Sequence, residues 1–96
     1  MQTYIIKKTK TFLRIATPSA DIAFEIDRDV LPKITEDNWR LRANGTAVHW
    51  FNGTALHHRI FCIYNGWLPW KIEYVDGNSR NLKAENLRGI PFRAIL

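Results

Sequence analysis

The chain has 96 residues, a formal net charge of +5 and one cysteine. This length is typical of one domain, and the lone Cys62 excludes an internal disulfide and a paired-cysteine zinc site. No stretch approaches the ~20 apolar residues of a membrane helix, and residues 1–10 lack a signal-peptide pattern, so we expect a cytoplasmic protein. The positive charge suits an ordinary basic protein as well as a protein with a polyanionic partner.

The first readable element is a strand over residues 20–26. Apolar and polar side chains alternate there, with Ile22, Phe24 and Ile26 on one face, which predicts a half-buried strand. Asp27 is expected to cap a short helical turn through Val30 and Leu31, and Pro32 is expected to limit the length of that turn.

Residues 38–43 alternate again and predict a second strand. Its inward side chains would be Trp39, Leu41 and Ala43, whereas Arg40 and Arg42 would point outward.

Two Asn-Gly pairs then predict a meander. Asn44-Gly45 and Asn52-Gly53 are each typical of a two-residue type I′ hairpin turn. Residues 46–51 would be the return strand, and residues 54–56 would begin a third strand. The aromatic residues could form a platform on which nucleobases stack; they include Trp39, Trp50, Phe51, Trp67 and Trp70. For Trp39 and Trp50 we expect instead that they face the core of this small sheet.

In the second half of the chain the spacing of apolar residues changes. Ile60, Tyr64 and Trp67 share one helix face, and the helix is expected to end at Asn65-Gly66. Residues 71–75 predict a strand, Asp76-Gly77-Asn78 a turn, and residues 82–87 a loop or short helical turn.

Residues 56–88 resemble the HNH homing endonucleases of phages and introns. In that family a His-Arg pair opens a helix with a Gly near its end. A Pro-containing loop, a strand and a polar turn follow, and then a Glu-Asn-Leu-Arg-like element. The ordered residues that carry the resemblance are His58, Arg59, Gly66, Pro69, Asp76, Gly77, Asn78, Glu85, Asn86, Leu87 and Arg88. We interpret His58, Arg59, Asp76, Gly77, Asn78 and Asn86 as scaffold positions of the motif.

The resemblance implies an α+β fold in one domain over residues 1–96. It would consist of a small antiparallel β-meander (1–55) followed by a helix and a truncated ββα-metal, HNH-like motif (56–96). The likeness extends upstream to about residue 22, where an acidic patch, a short helix, a tryptophan and a hairpin precede the motif.

The catalytic positions of the family are where the match fails. Glu73 and Tyr74 stand where the family has its metal-binding Asp and its general-base His. Leu82 replaces the Asn that orients that base, and the second metal ligand falls near Ile95. The resemblance therefore implies a protein without catalysis, metal or cofactor.

The three histidines leave a second possibility open. His58 is expected to pack within the scaffold, and His49 and His57 to lie on the surface. A metal site made of two histidines is the alternative. Trp67 and Trp70 flank the loop before the motif and suit either the core or a contact surface.

We expect a non-catalytic binding protein whose partner is a nucleoprotein complex or a host protein, with nucleic acid as the alternative. The expected contact residues are Arg40, Arg42, Trp67, Trp70, Lys71, Arg80, Lys83 and Arg88. The resemblance implies a phage or prophage origin and the host cytoplasm. By analogy, an inhibitor of host defence, including CRISPR complexes, is a candidate role. The rivals are an active nicking endonuclease that uses Glu73, Asp76 and a histidine, and a phage structural subunit; the oligomeric state is left open.

Overall fold

Residues 2–26 form a three-stranded antiparallel sheet in the computed structural model, which describes residues 2–92. The strands are β1 (Gln2–Lys7), β2 (Lys10–Thr17) and β3 (Ala20–Ile26), in the order β1-β2-β3. β3 has the predicted bounds and buries its apolar face. β1 and β2 were not predicted, although β2 also alternates. Its buried side chains are Thr11, Leu13 and Ile15.

A short helical segment follows β3 as predicted, but it is capped and limited differently. A 3₁₀ turn (Arg28–Val30) continues into α1 (Leu31–Ile34), and Pro32 lies in the first turn of α1 rather than at its end. Proline is tolerated there because a first-turn N–H has no partner within the helix. The carboxylate of Asp27 makes no capping bond to its own turn. It accepts a hydrogen bond from the Ala84 backbone N–H at 2.7 Å instead.

The predicted hairpin of the first half consists of β4 (Trp39–Leu41) and β5 (Ala47–His49), both shorter than expected. Gly45 has a φ of +88°, but Asn44 does not share the positive φ that a type I′ turn requires. The Gly45 N–H donates to the Arg42 carbonyl, so the connection has three residues and a left-handed glycine. Ala43 belongs to this connection and is exposed, not inward.

The segment after β5 is a loop and not a second tight hairpin. His49 bonds through its N–H to the Thr54 carbonyl (2.7 Å) and through its carbonyl to the Gly53 N–H (3.0 Å). The expected third strand is only a single bridge between Val48 and Ala55, because α2 already begins at Leu56. The prediction that Trp50 is buried is wrong, since 66% of it is exposed.

The longest helix, α2 (Leu56–Asn65), ends at Gly66 with a φ of +75°, as the sequence predicts. Its buried face carries Leu56, Ile60 and Phe61. Trp67 was expected on this face but lies beyond the helix end, because left-handed Gly66 turns the chain away.

The chain then forms an antiparallel pair of strands, β6 (Lys71–Tyr74) and β7 (Leu87–Ile90). β6 matches the predicted strand, and the 3₁₀ turn Ala84–Asn86 matches the predicted short helical turn. β7 completes the hairpin. The fold is therefore α+β, with antiparallel strand pairs and two short helices.

The two halves of the chain share one core. Leu82 is buried beside the side chains of β2, β3 and α2, and its N–H donates to the Glu25 carbonyl at 2.8 Å. The Glu25 N–H in turn donates to the Arg80 carbonyl at 2.8 Å. On the other side, a Cβ at Gly89 of β7 would lie 2.3 Å from Phe61 Cζ, so the hairpin approaches α2 too closely for any larger residue.

Candidate functional site

Glu73 and Arg88 form an ion pair across the β6–β7 hairpin. They are directly opposite in the strand register, and the Arg88 Nη2–Glu73 Oε1 distance is 2.7 Å. A cross-strand pair of opposite charge is a common sheet contact. The resemblance described above assigns Glu73 to a metal-binding position, but in the structure its carboxylate has the Arg88 guanidinium beside it.

Tyr74, which the resemblance assigns to the position of a general base, packs against His57. The two ring centroids are 5.9 Å apart, and burial raises the pKa of the Tyr74 phenol above its usual value. Burial, with a smaller effect from His58, lowers the pKa of His57 to about 4. Both side chains are therefore neutral near pH 7, and the prediction that His57 lies on the surface is wrong.

A cavity of about 100 Å³ lies between this pair and the rest of the fold. Its polar lining comes from the β4–β5 connection, α2, β6 and the segment before Leu82. The lining residues are Phe24, Asn44, Gly45, Thr46, Ala47, Leu56, His57, Tyr74, Ser79, Arg80 and Leu82. Leu82 is a core residue with 1% exposure. Ile95, the fourth position that the resemblance singles out, lies outside the described residues.

Residues 75–86, which we call the closed loop, join β6 to β7 and direct their polar side chains at one another. Buried Asn86 accepts from the Asp76 N–H (2.8 Å) and donates to Asp76 Oδ1 and to the Asn81 carbonyl (both 2.9 Å). The Asn81 amide donates to the other Asp76 oxygen at 2.9 Å. This hydrogen bond has the largest effect among the several contacts that lower the pKa of Asp76. Gly77 has the positive φ of +76° that the turn requires.

The predicted contact residues do not form one patch. Lys83 is ion-paired with Glu85 at 3.2 Å, and Arg88 with Glu73. Arg80 lies at the cavity, Lys71 on β6, and Arg40 and Arg42 on or just after β4, all of them exposed. Arg59, assigned to the scaffold, is exposed on α2, whereas His58 is half-buried and contacts His57.

Trp67 and Trp70 differ from each other. Trp67 is 41% exposed and packs edge-on against Phe61, with ring centroids 5.0 Å apart. It therefore contributes to the contact between β7 and α2. Trp70 is 59% exposed, and its backbone N–H pairs with the Ile90 carbonyl at 2.7 Å.

The structure exposes an aromatic pair, Trp50 and Phe51, which are 66% and 88% exposed, although Trp50 was expected in the core. They lie in the loop of residues 50–53, which we call the aromatic loop. The side chain of His49 supports this loop through hydrogen bonds. Its Nδ1 accepts from the N–H groups of Phe51 (3.1 Å) and Asn52 (3.3 Å), while its Nε2 lies 3.3 Å from Asp37. His49 is thus a supporting residue and not the surface histidine that was expected.

Within residues 2–92, no three His, Cys, Asp or Glu side chains lie together as candidate metal ligands. None of the helices in this range is both long enough and apolar enough to cross a membrane. When the chain is compared with protein-family models, with curated proteins and with solved structures, nothing matches it.

Proposed function

We propose that this chain is a non-catalytic binding protein on an HNH-like scaffold, and that it binds nucleic acid, alone or within a nucleoprotein complex. The observation that carries the proposal is the set of contacts that Glu73 and Tyr74 make within the fold. Glu73 pairs with Arg88, and Tyr74 packs on His57. Side chains at positions that serve catalysis in the family thus make contacts within the fold.

Tyr74 is poorly suited to activate water. An unperturbed phenol has a pKa near 10, and burial raises the pKa of Tyr74 further. A general base works best when its pKa is close to the working pH. Glu73 would have to leave Arg88 before its carboxylate could serve a cation alone.

The exposed cations support a polyanionic partner. Arg40, Arg42, Arg80 and Lys71 are exposed, and none has a carboxylate partner among residues 2–92. Lys83 and Arg88 are less available because acidic neighbours already pair with them. Cations free of such pairs are the ones that displace counterions from a phosphate backbone.

The non-catalytic part of the proposal is tested with supercoiled plasmid and magnesium or manganese. The expected result is no nicking above that of a mock purification. Nicking that survives purification and disappears in Glu73→Ala would overturn this part and favour the rearranged endonuclease.

The binding part is tested by titrating labelled nucleic acid, single-stranded and duplex, at several salt concentrations. Log affinity should fall linearly with log salt, and the double variant Arg40→Gln/Arg42→Gln should reduce the slope by about two. Lys7→Gln/Lys10→Gln removes the same charge from the β1–β2 hairpin and serves as the control. Equal effects of the two double variants would contradict a role specific to the arginines. Absence of binding at low salt would overturn the proposal.

The phage origin and the inhibitor role in host defence remain predictions from the resemblance. The preference for a protein partner anchored by Trp67 and Trp70 is weakened because Trp67 is already packed on Phe61.

A further inference from the structure

The aromatic loop combines an ordered backbone with exposed side chains. Six successive backbone N–H groups in and around the loop have acceptors. The bonds are His49 to the Thr54 carbonyl, Trp50 to the Asn38 carbonyl, Phe51 and Asn52 to His49 Nδ1, Gly53 to the His49 carbonyl, and Thr54 to Asn52 Oδ1. The exposure of Trp50 and Phe51 is thus not a consequence of a loose loop.

Such a loop is prepared to bind before a ligand arrives. Two large aromatic side chains in water offer apolar area that no contact within residues 2–92 covers. Because the backbone beneath them is already hydrogen-bonded, binding orders few additional groups, and the entropic cost of association is reduced.

One arginine reaches this loop, and two others lie on the elements that adjoin it. The Arg42 guanidinium reaches it, since Nη2 lies 3.8 Å from the position of a Cβ on Gly53. Arg40 is exposed on the neighbouring strand. A groove of about 370 Å³ begins where the loop ends, at Thr54 and Ala55, and its lining includes exposed Arg59. Asp37 is an acidic side chain near the loop, and its Oδ1 lies 3.3 Å from His49 Nε2.

From this arrangement, and resting on the proposed function, we infer that the aromatic loop is a stacking platform for unpaired nucleobases of single-stranded nucleic acid. Trp50 and Phe51 stack on base faces, and Arg42 and Arg40 contact the adjoining phosphates. Aromatic side chains accept any base because every base has a π face, and each stacked base strengthens binding substantially. The charge of the loop's surroundings favours this polyanionic partner over an apolar peptide or a neutral lipid surface.

The test is fluorescence anisotropy with a labelled single-stranded oligothymidine and with a duplex of the same length. Trp50→Ala/Phe51→Ala should weaken single-strand binding at least ~10-fold, because two stacked bases lose their platform. The salt slope should stay unchanged because the arginines remain. Trp50→Tyr/Phe51→Tyr should restore most of the affinity. Tyr4→Ala removes an aromatic ring that is 59% exposed on β1, outside the loop. It is the control and should change affinity less than ~2-fold.

The outcomes distinguish failure of the proposed function from failure of the stacking platform alone. If the wild type binds neither oligonucleotide at low salt, the proposed function fails and this inference fails with it. If it binds nucleic acid but the alanine double variant binds equally well, or Tyr4→Ala is equally damaging, the stacking platform alone is overturned. Tighter binding to duplex than to single strand overturns the choice of unpaired bases. Tryptophan fluorescence shifted by neutral vesicles, but not by oligothymidine, would assign the loop to a lipid surface.

Discussion

The aromatic loop and the closed loop share one backbone feature but differ in what their side chains contact. Each depends on a left-handed glycine, Gly53 with a φ of +75° and Gly77 with a φ of +76°. In the closed loop, polar side chains bond to one another and to the backbone around buried Asn86. In the aromatic loop, the side chain of His49 accepts hydrogen bonds from two backbone N–H groups, and the large aromatic side chains face water.

The difference separates stability from binding. Side chains that satisfy one another inside a fold are costly to remove, whereas exposed side chains without such contacts contribute little to the free energy of unfolding. We therefore expect the closed loop to matter for folding and the aromatic loop for recognition. Four predictions test this contrast, beginning with the largest expected change in stability.

Asn86→Ala should break the closed loop. The substitution removes three hydrogen bonds and leaves the Asp76 N–H and the Asn81 carbonyl without them. We expect the free energy of unfolding, measured with urea, to fall by about 2–4 kcal/mol. Asn52→Ala is the matched control in the aromatic loop. It removes only one exposed bond, to the Thr54 N–H, and should cost less than about 1 kcal/mol.

Gly77→Val and Gly53→Val should show what the two loops have in common. No atom lies within 4 Å of a Cβ at Gly77, and the nearest to one at Gly53 is 3.8 Å away, so backbone strain is the main cost in both. Each variant should lose about 1–3 kcal/mol of stability by thermal unfolding. An unchanged midpoint for either variant would contradict the left-handed geometry at that position.

The pH dependence of stability should sharpen the contrast between the loops. His57 should cause it, and this residue lines the same cavity as Ser79 and Arg80 of the closed loop. Its pKa falls from 6.5 to about 4 on folding, so between these values the unfolded chain binds a proton that the folded chain does not. Stability should therefore be complete above pH 6.5 and decline as the pH falls toward 4. Since water still reaches the ring, we expect this effect to be about 1 kcal/mol. His57→Gln should remove it, and parallel pH profiles for wild type and variant would contradict the assignment.

Trp50→Ala and Phe51→Ala should have the smallest effect on stability. The exposed rings contribute little buried area, so each variant should unfold within about 0.5 kcal/mol of wild type in urea. A loss above about 1 kcal/mol in either variant would mean that the ring supports the fold, and the separation between the two loops would fail.

Elements governed by local patterns could be predicted from the sequence. Residues 20–26 form a strand because apolar side chains alternate there, and α2 ends at Gly66 because glycine readily adopts the left-handed conformation. The 3₁₀ turn Ala84–Asn86 and the strand of residues 71–74 were also predictable. β1 was not predicted because most of its side chains are exposed and its sequence alternates little.

The errors arose where tertiary contacts decide between local options. Asn-Gly pairs favour a type I′ turn, yet Gly45 closes a three-residue connection and Gly53 a wider loop. Extending the alternation from Val48 placed Trp50 in the core, whereas the strand ends at His49. Asp27 has the sequence position of a cap, but its carboxylate bonds to Ala84, 57 residues away. No local pattern reports such a distant partner.

Of the candidate site, the residues that the resemblance singles out could be named from the sequence, but their contacts could not. The pairing of Glu73 with Arg88 depends on the strand register, and the contact of Tyr74 with His57 depends on how α2 lies beside β6. The exposure of Trp50 was predicted wrongly because exposure of a tryptophan is a property of the folded surface and not of its neighbours in sequence.

The bridge between β3 and the closed loop has a consequence for synthesis of the chain. β3 is the last strand of its sheet, and its outer edge bonds through Glu25 to Arg80 and Leu82. A nascent chain that has emerged only as far as α2 therefore carries an open strand edge, a surface that readily pairs with other chains. That edge closes only after residue 82 has left the ribosome, so the sheet of residues 2–26 is completed only when the closed loop has been synthesised.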